Sequence, residues 1–184
     1  MVFQINVHPR WGDMHFPMVP DLFIYDCVFL CWRDTLWGYE RGLVGWGFVV
    51  GLANFSVSKG ASHPWELELI FLGEFEVQEV EKKLRSLAEQ EDERLGLDSQ
   101  KKWLFIALKW LFENKNNIDD PLGVVELIYE DFGFPFEIEG FVRYMPSQDG
   151  YKPEENTSQQ NIERIFCNWQ SYLKRMAGVF EVKT

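Results

Sequence analysis

The most apolar stretch of the chain covers residues 103–112 and contains a single charged side chain, that of Lys109. A helix that is apolar on nearly every side must be surrounded by protein, or by lipid if it is long enough. A membrane span needs about 20 apolar residues, so this run is too short to be one. We therefore predict that residues 101–112 form the central helix of a soluble core, with Asp98 or Ser99 as its cap.

Apolar residues at helical spacing, bounded by caps and glycines, predict further helices along the chain. The predicted helices cover residues 33–42, 45–54, 65–72, 74–90, 120–131, 138–144 and 158–177. The clearest start is the Asp120-Pro121 pair, with Asp120 as N-cap and Pro121 at the first helical position. Gly133 and Gly178 are predicted to end the last two long helices, and Leu127 is predicted to point inward.

Residues 1–32 show no clear helical period, because Pro9, Pro17 and Pro20 break the segment into short pieces. The stretch over 22–32 is rich in aromatic and β-branched side chains, which favours a small β-hairpin or an extended arm lying on the helices. A first helix is the alternative. The predicted fold class is mainly α: a single compact multi-helix domain over residues 1–184, with an arm or hairpin at 1–32 and a helical core at 33–184.

Composition places the chain among soluble globular proteins. Of its 184 residues, 46% are hydrophobic and 16% aromatic, which excludes disorder. The first residues lack the basic start and continuous apolar stretch of a signal peptide, and no membrane span is predicted. The three cysteines have no framework spacing, which suits a reducing compartment. We therefore expect a cytoplasmic protein.

The segments KWLFIALKWLFEN, DDPLGVVELIYEDFGFP and FVRYMP resemble the bacterial family of unknown function numbered 2247. The stretch WGYERGLV is similar to the N-terminal signature of that family. The resemblance covers most of residues 32–146 and is most specific over 119–146, although Phe134-Pro135 stands where the family pattern has Tyr-Pro. It implies the fold and a bacterial origin, and the family supplies no catalytic residues to carry over.

Charge is the feature that bears most on function. The net charge is −11, and residues 113–155 alone hold 11 acidic and three basic side chains, a net charge of −8. This balance argues against direct binding of nucleic acid, because phosphate affinity comes mainly from Lys and Arg. The candidate protein-binding residues are Asp119, Asp120, Glu126, Glu130, Asp131, Glu137 and Glu139.

Two other interpretations of these carboxylates remain open. They can be a solvated face that keeps the protein soluble. A pair of them can also act as general acid and base or hold a divalent cation, which requires a desolvated pocket. Arg143 is a lone base among these acids, and we predict an internal ion pair with Asp131 or Glu139.

Sequence motifs for catalysis or metal binding are absent. The chain has no phosphate-binding loop, no G-x-S-x-G elbow and no H-E-x-x-H pair, so no catalytic residue is predicted. Cys27 and Cys31 can share one helical face, but no histidine has ligand spacing around them. We therefore predict buried free thiols, no metal site and no cofactor.

The aromatic residues have two interpretations. Trp103, Trp110 and Trp169 fall at core positions of predicted helices, whereas the N-terminal third of the chain holds more rings than a small core requires. These rings form either an exposed patch of interface anchors or a second wall of the core. They are Trp11, Trp32, Trp37, Tyr39 and Trp46.

Three functional hypotheses follow. The favoured one is a non-catalytic acidic protein-binding module, such as an immunity or antitoxin-like protein that covers a basic partner of the nuclease-toxin kind. Small size, concentrated acid and the absence of a catalytic motif support it. The second is an enzyme with a carboxylate site for a small molecule between the helices. The third is a permanent structural subunit of a complex. The oligomeric state is not predicted.

Overall fold

A computed structural model describes residues 19–61 and 63–181, and within them the chain is helical. The α-helices are α1 (Asp21–Cys27), α2 (Trp32–Glu40), α3 (Trp46–Ser58), α4 (Pro64–Leu69), α5 (Val77–Gln90), α6 (Ser99–Asn114), α7 (Pro121–Asp131) and α8 (Ser158–Phe180). Short 3-10 helices cover Glu74–Glu76, Glu93–Gly96, Lys115–Asn117, Phe136–Phe141 and Pro153–Glu155. The prediction of a mainly α fold is confirmed.

The described residues divide into two compact units, Val19–Trp103 and 104–181, with the boundary inside α6. We call them the N-terminal unit and the C-terminal unit. The single-domain organisation therefore stays a prediction.

The start of the N-terminal unit differs from the favoured prediction. Residues Asp21–Cys27 form α1, so a hairpin or extended arm is wrong for them and the alternative of a first helix is correct. Pro20 at the N-cap and the acidic Asp21 in the first turn favour a helix start, and Ile24 is buried one turn later. Residues 1–18 of the predicted arm lie outside the described part of the chain.

The apolar run of α6 is buried as its pattern predicts. Every side chain from Trp103 to Leu108 is inaccessible to solvent or nearly so, and Leu111 is buried as well. Trp110 is only half-buried. In the described residues, no helix is long and apolar enough to cross a membrane.

In the N-terminal unit, α2 packs against α5, and α3 packs against α1, α4 and α5. Helix α2 ends at Glu40, and Gly42, two residues further on, has φ 70°. The Leu43 N–H donates to the Gly38 carbonyl at 2.9 Å and the Gly42 N–H donates to the Tyr39 carbonyl at 3.0 Å. This is a Schellman motif, in which a left-handed glycine lets the last carbonyls of the helix find donors.

A buried carboxylate holds the first turn of α2 in place. Asp34 accepts from the Ser99 hydroxyl at 2.7 Å and from the Cys31 N–H at 3.0 Å, and it pairs with Lys102. The Asp34 carbonyl accepts from the Trp103 indole N–H at 2.8 Å. The start of α6, from Ser99 to Trp103, is thereby attached to the first turn of α2, which the sequence pattern did not indicate.

The hypothesis of an exposed aromatic patch in this unit is wrong for Trp32. Its ring is buried, and its indole N–H donates to Glu66 at 2.8 Å. Trp37, Tyr39 and Trp46 are half-buried. These rings therefore fit the alternative of a second core wall, whereas Trp11 lies outside the described residues.

The cysteines differ in accessibility. Cys27 and Cys31 are buried, and burial raises the pKa of the Cys31 thiol to about 12, whereas Cys167 is exposed on α8. Because the thiolate is the reactive form, one thiol per chain is expected to react rapidly with a thiol reagent at neutral pH and all three after denaturation. Cys167→Ser is expected to remove the rapid reaction. Rapid reaction of a second thiol in the native protein would contradict this burial.

In the C-terminal unit, α8 packs against the 3-10 helix Phe136–Phe141. The buried ring of Trp169 lies 5.0 Å from the centroid of Phe112 and 5.9 Å from that of Phe141. Helix α8 continues through Gly178 to Phe180, so its predicted end at residue 177 is wrong. The Phe180 ring packs 6.2 Å from Phe105, and this tertiary contact outweighs the low helix propensity of one glycine.

Candidate functional site

Helix α7 carries the acidic candidates, and it begins as predicted. Asp120 is the N-cap and accepts from the Gly123 N–H at 3.0 Å, and Pro121 occupies the first turn. This bond, assisted by Arg143, lowers the pKa of Asp120. A negative charge at this end of a helix is favourable, because the free N–H groups make it partly positive. Asp120 is therefore a structural residue.

Arg143 is clamped by two carboxylates at the same end of α7. Its guanidinium donates to Glu126 at 2.7 and 2.9 Å and to Asp120 at 2.9 and 3.1 Å, which raises the pKa of Arg143. The internal ion pair is confirmed, but the partners that the structure describes are not the predicted Asp131 and Glu139. The chain reverses after α7, so Arg143 lies beside the first turns of the helix rather than its end.

The other end of α7 has the opposite electrostatics. Glu130 and Asp131 lie in the last turn, which contains no basic residue. Acidic side chains there are unfavourable, by about 0.3–1 kcal/mol at an exposed site, because the helix C-terminus is itself partly negative. This end of the helix therefore concentrates negative potential.

The seven candidate residues differ in burial and in their bonding partners. Asp120 and Glu126 hold Arg143, and Glu139 accepts from the Tyr129 hydroxyl at 3.1 Å and from the Gln148 amide at 2.6 Å. Asp131 is half-buried. The remaining three are exposed and make no hydrogen bond or ion pair through their side chains with the described residues. They are Asp119, Glu130 and Glu137.

Exposed aromatic side chains accompany these acids, and sequence reasoning missed them. Phe134 is 60% exposed and Tyr144 is 54% exposed. Both pack at steep angles against Tyr129, with ring centroids 5.2 and 6.2 Å away, respectively. Leu127 is also partly exposed, so its predicted inward orientation is wrong. Burial raises the pKa of Tyr144, and the charges of Glu130 and Glu126 raise it further.

The sequence around Phe134 predicts only that helix α7 ends there. Helix α7 ends in a second Schellman motif, in which the Gly133 N–H donates to the Glu130 carbonyl at 3.0 Å and the Phe134 N–H donates to the Tyr129 carbonyl at 2.8 Å. Gly133 ends the helix as predicted. Phe134 follows in the left-handed region with φ 60°, which a bulky side chain rarely adopts.

A separate cleft of about 330 Å³ lies in the same unit, lined by the 3-10 helix Phe136–Phe141, the following loop and α8. Both arginines that line it are already paired, Arg164 with Asp149 at 2.6 Å and Arg143 with Asp120 and Glu126. Glu126, Glu130 and Asp131 do not line it. Within residues 19–61 and 63–181, no three His, Cys, Asp or Glu side chains are grouped to hold a metal ion.

Residues 21–177 match the family described as "Uncharacterized protein conserved in bacteria (DUF2247)". The chain belongs to this family. The match confirms the resemblance seen in the sequence and extends it from 32–146 to include α1 and most of α8. Neither the curated proteins nor the solved structures gave a match.

Proposed function

We propose that this bacterial protein is a non-catalytic binding module that docks a basic partner protein at the C-terminal end of α7. The observation that carries the proposal is the exposed carboxylate of Glu130 in the last turn of α7, a helix end that is itself negative. Glu137 is a second exposed acid in the 3-10 helix that follows, and neither carboxylate has an ion pair among the described residues. Arg143, the base of the acidic segment that lies beside α7, is already paired with Asp120 and Glu126. Such a surface speeds encounter with a positively charged protein and disfavours other partners.

The neighbouring apolar side chains distinguish this surface from an ordinary solvated face. A face that only keeps a protein soluble has no need of exposed rings, whereas protein interfaces combine aromatic anchors at the centre with a polar rim. Phe134 and Tyr144 supply the anchors and Glu130 the rim. An immunity or antitoxin-like protein is the finer form of the proposal, since a nuclease toxin needs a basic surface to bind nucleic acid. A toxin gene beside this one would favour that form.

The test reverses the charge of Glu130 and Glu137 together. The partner is first captured from the native organism by the tagged full chain, at low salt, and its identity and charge are established. Glu130→Lys/Glu137→Lys is then expected to slow association with the purified partner by about tenfold at low salt, because steering depends on the local potential. Stopped-flow or surface kinetics at several salt concentrations measure the effect. Glu126 is left unchanged because it holds Arg143.

A matched control separates the local surface from overall charge. Glu89 and Glu93 are exposed acids of the N-terminal unit that have no described ion pair. Glu89→Lys/Glu93→Lys changes the net charge by the same amount and is expected to retain most of the wild-type association rate. Equal slowing by both double variants would show that net charge, not the end of α7, governs binding. No slowing by either would contradict the proposal.

One observation supports the alternative that the protein is an enzyme. Glu139 is a half-buried carboxylate that lines the cleft, whose volume is at the low end of ligand pockets. It already accepts from Tyr129 and Gln148, however, so the cleft offers few free polar groups. A thermal-shift screen with small metabolites tests this alternative, and a stabilising ligand whose effect is lost in Glu139→Gln would favour it.

A further inference from the structure

We infer that Phe134 and Tyr144, seated on Tyr129, form an aromatic receptor for an arginine or lysine side chain of a basic protein segment. The inference rests on the proposed function and names the chemical group that the surface takes. The two exposed rings flank the nearly buried ring of Tyr129 at interplanar angles of 81° and 61°. Rings set at steep angles to one another present faces and edges from several directions, and an aromatic face attracts a cation within about 6 Å of its centroid.

The backbone of Phe134 favours a role beyond packing. Its left-handed conformation costs about 1–2 kcal/mol, and glycine or asparagine would adopt it with less strain. The Schellman motif itself requires this conformation only at Gly133. Contact with Tyr129 buries only part of the ring, since 60% of the residue remains exposed. Strained residues that persist at an exposed position are a reason to look for a binding role.

The surrounding charge selects the kind of side chain that binds. Glu130 lies in the turn of α7 that ends at the rings, and its charge reaches the Tyr144 hydroxyl. An apolar side chain that packed on these rings would not use this potential, whereas a cation gains from both the ring faces and the carboxylate.

Contacts between a cation and an aromatic ring also occur within this chain. Arg164 lies 4.1 Å from the ring centroid of Tyr151, and Lys115 lies 3.9 Å from that of Phe112. Among the residues that the structure describes, no cation lies over Phe134 or Tyr144. The cations over Tyr151 and Phe112 come from the chain itself, whereas Phe134 and Tyr144 present exposed rings to a cation from another protein.

The experiment uses the full chain and three fluorescently labelled octapeptides, in which glycine alternates with arginine, lysine or glutamine. Anisotropy titrations at low salt are expected to show binding of the arginine and lysine peptides and none of the glutamine peptide. Phe134→Asn/Tyr144→Ser is expected to weaken binding of the arginine peptide about tenfold, by removing two ring contacts. Asparagine tolerates the left-handed backbone, so this variant keeps the turn.

Two further variants test whether binding depends on the ring faces of this surface. Phe134→Leu keeps an apolar contact with Tyr129 but has no ring face, and it is expected to weaken binding severalfold. Phe71→Ser/Phe75→Ser removes two even more exposed rings of the N-terminal unit and is expected to leave peptide binding unchanged. Thermal unfolding of each variant identifies any loss that comes from misfolding.

The outcomes separate the receptor from the proposed function. If Glu130→Lys/Glu137→Lys abolishes binding of the arginine peptide while Phe134→Asn/Tyr144→Ser and Phe134→Leu bind normally, the receptor is overturned and the acidic docking surface stands. If none of these variants changes binding, both are overturned. Equal binding of the glutamine peptide would overturn the assignment of a cationic ligand.

Discussion

Replacing Asp34 with alanine is expected to lower the free energy of unfolding by about 3–5 kcal/mol. The carboxylate is fully buried, and its partner Lys102 has only 15% of its side chain exposed. Removing the acid leaves this ammonium group without its partner and deprives the Cys31 N–H and the Ser99 hydroxyl of an acceptor. The capping box of α2 thereby loses the half that the Asp34 side chain supplies, whereas the bond from the Asp34 N–H to the Cys31 side chain remains. Urea denaturation followed by circular dichroism measures the loss.

A surface ion pair in the same unit provides a matched control. Lys83 is as buried as Lys102, with 17% of its side chain exposed, but its partner Glu68 is 58% exposed, against 0% for Asp34. Glu68→Ala is therefore expected to cost no more than about 1 kcal/mol, because water replaces the lost partner. Asp34→Asn, which retains one acceptor oxygen, is expected to fall between the two. Similar losses for Asp34→Ala and Glu68→Ala would show that burial of the acid is unimportant.

The helices were predictable because their signals are local. Asp120, Pro121 and Gly133 mark the two ends of α7 through their own backbone preferences, and the apolar run of α6 shows its burial without any partner being known. Helix α1 is the exception. Three prolines in residues 1–20 and the aromatic and β-branched residues after them favour an extended arm or hairpin, because the helical periodicity of this segment is weak. Its helical state is visible only once Ile24 is placed in the core.

The local sequence pattern could not predict the buried hydrogen bonds of Asp34 or the ion pairs of Arg143 with Asp120 and Glu126. Asp34 and Lys102 are 68 positions apart, and Asp120 and Arg143 are 23 apart. Periodicity contains no information on pairs at such separations. Composition shows that residues 113–155 are acidic, but it gives no means to separate Asp120, which holds Arg143, from Glu130, which has no ion pair among the described residues. That distinction depends on where the chain brings Arg143.

The aromatic side chains illustrate a different limit. Phe134 stands between Gly133 and Pro135, and this tripeptide is typical of a helix stop, so its ring attracted no functional hypothesis. The conformation that exposes it is one that propensities assign to glycine and asparagine. The high density of tryptophan near the N-terminus favours an exposed patch there instead, although the Trp32 indole is hydrogen-bonded inside the core. Ring density in a sequence is therefore a poor guide to ring exposure.

Gly38→Ala is expected to destabilise the protein by about 3 kcal/mol. Alanine normally stabilises a helix relative to glycine by about 1 kcal/mol, so the expected sign is opposite to helix propensity. A Cβ at position 38 would lie 2.5 Å from the Cε2 and Cζ2 atoms of Trp103. This indole is fully buried, its N–H is bonded to the Asp34 carbonyl, and its ring lies 6.1 Å from that of Phe48. The ring therefore has little room to move away.

Two comparisons show whether the clash with Trp103 is the cause. Gly178 lies within α8, and no described atom other than its chain neighbours and the backbone of its own helix lies within 4 Å of the position that a methyl group would take there. Gly178→Ala is therefore expected to stabilise the protein by about 0.5–1 kcal/mol. Trp103→Phe removes the part of the indole that meets the new methyl group at position 38. The double variant Gly38→Ala/Trp103→Phe is therefore expected to be more stable than the sum of the single losses, by about 0.5–3 kcal/mol. Strict additivity would mean that the indole does not fill the space beside Gly38.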